Sequence, residues 1–506
     1  MTDEAPAPIE WEQLLNTIER KVISIDKLLS TMKSQDQSVF ACVLMAFYKR
    51  QYMGETITLN RFLRFVGTLV ASLDAQINQQ VNEIIHHPRF LRLEATWRGA
   101  KYLLNQTNDE NLSSDSNVKI KLLDVRWSEA AKDITRAIDF DQSDLFRKIY
   151  SQEFDHPGGE PYGIIVADYD ISHRPRPGVN DIDVLRGLAQ IAAAAFSPIL
   201  IGAAESLFGV EDFNELHPTT QLQDHFKSSE YSAWRSLRAY DDARFLGVFL
   251  PYILMRPRYR NDGSRHDGFR FSEQIKSGKD YCWGQASYGF AAVVIRAHER
   301  YGWYADIRGM ERGKLSFGVI DPPGKDSFFT DPKDYNSMPS ANARIVLAVE
   351  QDLHSLGFIP VTTAKNTSLL SYPGNYSLLD PKKYDGDAAN ANSKLSTMLQ
   401  YMLCVSRFAH YVKVIVRDRI GSFMTAEQIE KNIREWLLKY TVANEDADIN
   451  IKARFPLREV DVNVKELVGQ TGKFSCVLHL RPHYQLDDVV SSVKLRTQLN
   501  TVGDRI

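Results

Sequence analysis

The sequence predicts a mixed α/β protein: an N-terminal helical region, a central β-α-β sheet and a C-terminal end made of strands. Three observations carry that prediction. Residues 9–32 and 37–82 place apolar side chains at i, i+3, i+4 and i+7, the spacing of amphipathic helices. "YGIIVADYD" (162–170) and "PILIGA" (198–203) are almost continuously apolar and flank the helical run "VLRGLAQIAAAAF" (184–196), as buried parallel strands around a crossover do. The last 55 residues or so alternate apolar and polar side chains, the period of half-buried strands.

Taken in order, "IEWEQLLNTIERKVISIDKLLSTM" (9–32) carries Trp11, Leu14, Leu15 and Ile18 on one face behind a Pro/Ala-bearing tail. Two readings stand for it, a docking helix apart from the body and a helix packed on its own domain. "EATWRGAKYLL" (94–104) reads as a further helix after a break at Pro88, and "SDSNVKIKLLDVRWSEAAKDITRAI" as a strand running into a helix. "HPGGEP" (156–161) is a breaker. After the β-α-β unit, residues from about 256 to 390 are rich in Gly, Pro, Asp and Tyr and predict loops, short strands and hairpins. A long helix is predicted over roughly 388–418. A second follows, with Thr425 as N-cap and Gln428 three residues on, a capping box. "EVDVNVKELV", "KFSCVLHLRPHY" and "VVSSVKLRTQL" then read as three strands, the last placing Val489, Val493, Leu495 and Leu499 on one face. Domain limits fall at 1–105, 106–385 and 386–506.

Bulk properties exclude several classes. A chain of 506 residues exceeds what one core supports. The 61 basic and 64 acidic residues leave a net charge of −3, so nothing draws the whole chain to nucleic acid or an anionic membrane. Cys42, Cys282, Cys404 and Cys476 lie far apart without a C-x-x-C pair, which fits reduced, buried thiols better than a zinc or disulfide framework. The acidic N-terminus is not a signal peptide, and the most apolar run (189–204) falls short of the ~20 residues a bilayer requires. These features predict a soluble, cytoplasmic protein without membrane insertion.

Catalytic motifs are near misses. "GMERGKL" (309–315) is one residue short of a phosphate-binding P-loop and has Leu315 where the hydroxyl belongs. "DYDISHRPRPGVND" (168–181) fills the β-α turn with prolines where a dinucleotide fold uses glycines. "WGQASYGF" is not a nucleophile elbow, and "AHERY" lacks the second histidine of a zinc helix. His86 and His87 have no ligand partner at metal spacing. No metal, cofactor or catalytic residue is expected. The densest charge cluster is "WRSLRAYDDARFLGVFLP" (234–251). On one helix, Arg235, Arg238 and Asp242 would share a face, with Arg244 nearby, and ion pairs locking helices together is the expected use.

Several blocks resemble, in order, the large sheath subunit of the type VI secretion system. They are "HHPRFLRLEATWRGAKYLL" (86–104), "WRSLRAYDDARFLGVFLPYILMR" (234–256), "RYGWYADIRGMERGKLSFG" (300–318), "QDLHSLGFIPV" (351–361), residues 399–437, "RFPLREVDVNV" (454–464) and "LRPHYQLDD" (480–488). The resemblance runs from about residue 86 to the C-terminus. In length and detail it is nearest the divergent intracellular-growth-locus branch. It implies tail-sheath-like domains and C-terminal strands open to inter-subunit β-augmentation. It also implies obligate pairing with a small sheath subunit, helical polymerisation with neighbouring protomers around an inner tube protein on a baseplate, and contraction for protein secretion in a bacterial cytoplasm. In such a polymer Arg235, Arg238, Asp242 and Arg244, with Val489, Val493, Leu495 and Leu499, would be inter-subunit residues. The 9–32 helix would be a place for a AAA+ unfoldase. Two alternatives stay open, an α/β enzyme for a small phosphorylated substrate near "RPRPG" and a baseplate or adaptor protein of the same machine.

Overall fold

The computed structural model describes residues 59–107, 118–156, 158–175, 179–261, 263, 269–305, 307–309, 318–326, 340–364, 367–417, 425–444, 447–466, 474–483 and 493–499. They fall into two compact units, one holding Tyr259–Ile275 with the chain up to His87, the other holding Pro88–Arg258 and Lys276 onward.

In the first unit, α1 (Leu59–Ile85) is tied to the 259–275 segment by polar bonds. Asn78 Nδ2 donates to Arg270 O at 3.0 Å, Gln274 N to Asn82 Oδ1 at 3.2 Å, and His86 Nε2 lies 3.0 Å from the buried Glu273 carboxylate. Val70, Leu73, Ile77 and Ile84 stay exposed along α1.

The second unit opens with α2 (Pro88–Thr107). Pro88 starts this helix instead of breaking it, since the first helical N–H needs no partner. α2 buries Ala95, Gly99, Tyr102 and Leu103, while Phe90, Leu93, Trp97 and Leu104 form an exposed apolar stripe. Residues 118–126 belong to no strand, so the strand expected there is not formed. Side chains hold the segment in place of a ladder: Lys119 pairs with Glu160, Lys121 with Glu153, and the Tyr169 hydroxyl donates to Val125 O. Helix α3 (Trp127–Arg136) follows.

The central sheet is parallel. β1 (Ile165–Ile171), α4 (Asp181–Ala195) and β2 (Ile199–Ala203) form the predicted β-α-β unit. Asn180 is the N-cap, its side chain accepting from Ile182 N, and Asp181 and Asp183 lie in the first turn. α5 (Ser232–Arg238) leads through a 3₁₀ turn into β3 (Leu246–Leu250), and a fourth strand completes the order β1-β2-β3-β4 after two further helices. Those helices are α6 (Ala286–Tyr301) and α7 (Leu347–Ser355), and β4 is Phe358–Pro360. β2 and β3 are buried at every residue because the sheet has a core on each face. Ile199, Ile201, Leu246 and Val248 pack with α4, and Leu200 and Phe249 with α6. α6 and α7 lie where loops were expected. Eleven of the 16 residues of α6 are buried, so its sequence is apolar all round and shows no stripe. It meets α2 at Gly99, where a Cβ would sit 2.7 Å from the Tyr288 ring.

The long helix expected at 388–418 is two helices, α8 (Asp387–Ser396) and α9 (Leu399–Arg417), parted at Thr397 and Met398. The break lets Ser377 bond Thr397 O through both its N–H and its hydroxyl. α10 (Ala426–Leu438) opens on the Thr425/Gln428 capping box as predicted. Three antiparallel strands close the described chain: β5 (Leu457–Glu466), β6 (Phe474–Pro482) and β7 (Val493–Leu499), in the order β5-β6-β7. Val462, Val464, Cys476, Leu478 and Leu480 turn one face onto Val405, Phe408, Ile433 and Leu437 of α9 and α10.

Candidate functional site

The 234–251 stretch is not one helix. α5 stops at Arg238, Tyr240 is extended, and Asp241–Phe245 is a 3₁₀ turn that feeds the wholly buried β3. The shared helical face of Arg235, Arg238 and Asp242 is therefore absent. The physical reason is that the apolar run after Phe245 must enter the sheet extended, and the chain turns before it.

Each arginine has a separate task. Arg235 is exposed and donates through Nη1 to Phe226 O at 2.8 Å and Ser228 O at 2.6 Å. Arg238 is only 7% exposed. Its Nε donates to Leu378 O at 3.2 Å and its Nη2 to Ser355 O at 3.1 Å, with Asp380 Oδ1 at 3.5 Å, while Asp380 N returns a bond to Arg238 O. This rigid fork stitches three distant segments within one chain. Burial lowers the Arg238 pKa, and Asp380 opposes that. Arg244 reaches back to Asp241 O at 2.7 Å, and Lys382 lies 3.3 Å from Asp241 Oδ1. Asp242 sits beside the Tyr240 hydroxyl, which accepts from Gln190 Nε2 at 3.1 Å.

At the carboxyl ends of the parallel strands lies a polar cluster that sequence reasoning did not single out. Open α/β sheets place ligands there. Arg92 Nη1 donates to Asp170 Oδ2 at 3.0 Å, Gln285 Nε2 to Asp170 Oδ1 at 2.9 Å, Thr96 to Asp168, and Tyr252 to Glu205 at 3.4 Å. Burial raises the Asp170 and Glu205 pKa values, with Arg92 working against the first. The cluster is filled: a Cβ on Gly202 would come within 2.7 Å of the Gln285 amide and 3.0 Å of Asp170. It clasps α2 to the sheet. At the "RPRPG" connection, His173 Nε2 lies 3.0 Å from Glu230 and Arg174 Nε donates to the same oxygen. No group of three His, Cys, Asp or Glu residues placed to hold a metal occurs among the described residues.

The C-terminal sheet has two unlike edges. On β5, two outward groups of the middle are taken by α10. Arg434 Nη2 donates to Val462 O at 3.0 Å, and Val464 N donates to Glu430 Oε2 at 3.2 Å. At its start, Leu457 exchanges bonds with Tyr440 and Val442. Among the described residues, β7 pairs with β6 alone: Val493 opposite Leu480, Leu495 opposite Leu478, Leu499 opposite Phe474. An edge strand with unpaired N–H and C=O groups is a template for another strand. Val489 lies outside the described residues, as do Trp11, Leu14, Leu15 and Ile18.

Residues 67–379 match the EvpB/VC_A0108 tail sheath N-terminal domain and residues 388–499 the EvpB/VC_A0108 tail sheath gpW/gp25-like domain. The chain is similar to the type VI secretion system sheath protein TssC1 of Pseudomonas aeruginosa, 33% identical over 445 residues that cover 87% of each chain. A solved chain in the six-fold symmetrised cryo-EM baseplate of the anti-feeding prophage matches 74% of this chain and 82% of its own. Its TM-score of 0.35 at 11% identity makes that a loose likeness on which nothing rests. The domain matches and the relative agree, and the chain belongs to the EvpB/VC_A0108 tail sheath family.

Proposed function

We propose that this chain is the large subunit of a type VI secretion contractile sheath, acting as a structural protein in the cytoplasm. It pairs with a small sheath subunit and polymerises into a helical tube around an inner tube on a baseplate. Contraction of that tube drives secretion. In this reading residues 106–385 form the central sheath domain and 386–506 the domain that joins protomers, while the 9–32 helix is available to a AAA+ unfoldase.

The observation that carries the assembly reading is the asymmetry of the C-terminal sheet. Side chains of α10 occupy the backbone of β5, whereas β7 has no partner on its far side among the described residues. A strand from the small subunit or a neighbouring protomer then adds to β7, and the positions of Val493, Leu495 and Leu499 register with it. The exposed apolar stripe of α2 favours burial against a partner in the same assembly.

Two adjacent proline substitutions test this. Successive residues of a strand point their N–H groups to opposite edges, so one of Arg496→Pro and Thr497→Pro removes a β6–β7 bond and the other only an outward donor. The chain is co-expressed with a small sheath subunit and imaged by negative stain. Wild type gives hollow tubes. The outward-facing proline keeps the melting temperature and loses the tubes. Tubes of normal length from both variants would refute addition at β7, and no tubes from wild type would refute the sheath reading.

A further inference from the structure

Apart from the surfaces described above, the second unit contains a cavity of about 480 Å³ at the opposite end of the central sheet from the Asp170 clasp. It opens between the chain entering β1, α6 and α9, and its walls include Val294, Ile295, His298, Arg407, His410 and Tyr411. The volume lies within the roughly 300–1,000 Å³ of small-molecule sites. Tyr304 reaches its wall only because residue 163 is glycine; a Cβ there would lie 2.5 Å from the tyrosine oxygen.

Three buried polar atoms on this lining have no protein partner: Arg407 Nε, His298 Nδ1 and His410 Nδ1. Two cations of the lining are paired, Lys119 with Glu160 at 2.6 Å and Lys121 with Glu153, while Lys413, off the lining, lies over the Tyr150, Phe154 and Phe196 rings. Arg407 has no carboxylate in ion-pair reach among the described residues. Its Nη2 donates to the Tyr411 hydroxyl at 3.2 Å, and the guanidinium lies 4.6 Å above that ring. His410 is 1% exposed, and its Nε2 lies 2.9 Å from Ala195 O, which assigns the proton to Nε2 and leaves Nδ1 as an acceptor. Burial, with Arg407 adding to it, lowers the pKa of His298; burial first, and Arg407 and Lys413 after it, pushes that of His410 down to about 3, so both rings are neutral.

Arg407 is partly exposed, but its buried Nε lacks an acceptor, and an oxyanion there would supply one. Arg407 is the one cation of the described lining without a carboxylate partner, and a single charge matches a carboxylate better than a dianionic phosphate, which would also face Glu160. The walls between the polar atoms are aliphatic and aromatic, and the histidine acceptor calls for a hydroxyl. We propose that this cavity binds a small organic acid: its carboxylate on Arg407, an apolar or aromatic body against Val294 and Ile295, and a hydroxyl donating to His410 Nδ1. The site is independent of the β7 edge and of the sheath reading.

The test uses the full-length chain in the assembly in which it purifies. Acetate, succinate, benzoate, 4-hydroxybenzoate and inorganic phosphate are compared at equal ionic strength by thermal shift and saturation-transfer NMR. Benzoate and 4-hydroxybenzoate are expected to raise the melting temperature by roughly 2–4 °C near saturation, the hydroxylated acid binding more tightly, with phosphate inert. Arg407→Gln, and separately Val414→Phe, which fills the cavity from α9, should each weaken binding by about tenfold or more. No shift with any of the four carboxylates would overturn the proposal. A shift that persists in both variants, or one that phosphate produces equally, would overturn it too.

Discussion

The two sheets of the second unit are built to opposite ends. In the parallel sheet, β2 and β3 bury every residue, with a core on each face, and the polar groups at the carboxyl ends are spent on one another. In the C-terminal sheet one face is packed, while Glu459, Asp461, Asn463 and Lys465 of β5 point to solvent. One of its edges is occupied by helix side chains, and the other has no neighbour among the described residues. The first arrangement directs its free energy into holding the fold. The second leaves the outward backbone of β7 without a partner among the described residues, the kind of edge to which another strand can add. The charged stretch 234–251 belongs to the first arrangement, because Arg238 is consumed within the chain.

Breaking the closed region should have the largest effect. Arg238→Ala removes the donors for Leu378 O and Ser355 O in a site with little access to water. Each orphaned group costs about 1–3 kcal/mol, so a loss of about 2–4 kcal/mol is expected. Urea unfolding of the variant measures it. A change below about 0.5 kcal/mol, the range of ordinary surface substitutions, would return Arg238 to the surface and make it available to a neighbouring subunit.

Acid should weaken the same region. His410 is neutral in the fold, with its pKa down at about 3, whereas in the unfolded chain it titrates near ~6.5. Between those values the unfolded state binds the extra proton, so stability is complete above the unfolded pKa and falls as pH drops below it. His354, lowered to about 4 by burial and then by Arg308, acts in the same sense. Asp170 and Glu205, raised by burial, act in the opposite one. The His410→Leu difference isolates the histidine: between pH 7 and pH 5 wild type should lose about 2 kcal/mol more than the variant. Equal slopes would show that His410 is solvated in the native state.

What could be read from the sequence divides along the same line. The β-α-β unit, the Thr425/Gln428 box and the C-terminal strands each leave a local signature, an apolar run, a cap spacing or an alternation, that tertiary packing does not override. α6 leaves none, because a helix buried on nearly every side has no polar face to set its period. The α8–α9 break was hidden for a related reason: Thr397 and Met398 tolerate a helix, and only the bonds from Ser377 show why the chain parts there. The Arg/Asp stretch was legible as a cluster and not as a geometry, since Arg238 is fixed by carbonyls more than a hundred residues away. Its partners are backbone atoms, which carry no mark in a sequence. The asymmetry of the C-terminal edges was equally hidden, although Glu430 and Arg434 stand one helical turn apart in plain view.

That asymmetry yields the smallest change in stability and the sharpest comparison. Glu430 and Arg434 are both partly exposed, and their mutual bond at 3.3 Å is an ordinary helix pair worth a few tenths of a kcal/mol. Their bonds to Val464 N and Val462 O add little more, since water replaces a lost partner at a solvent-facing edge. Double substitution to alanine should therefore lower stability by about 1 kcal/mol or less. Its consequence for association should be far larger, because β5 would then present unpaired backbone like β7, and one subunit would own two sticky edges. The expected outcome is a near-native melting temperature together with sheet-rich aggregates or misassembled tubes, read by light scattering and negative stain. If the double variant instead assembles as wild type does, the helix side chains are incidental. Edge choice would then reside in the partner strand, and the two edges of this sheet would be equivalent after all.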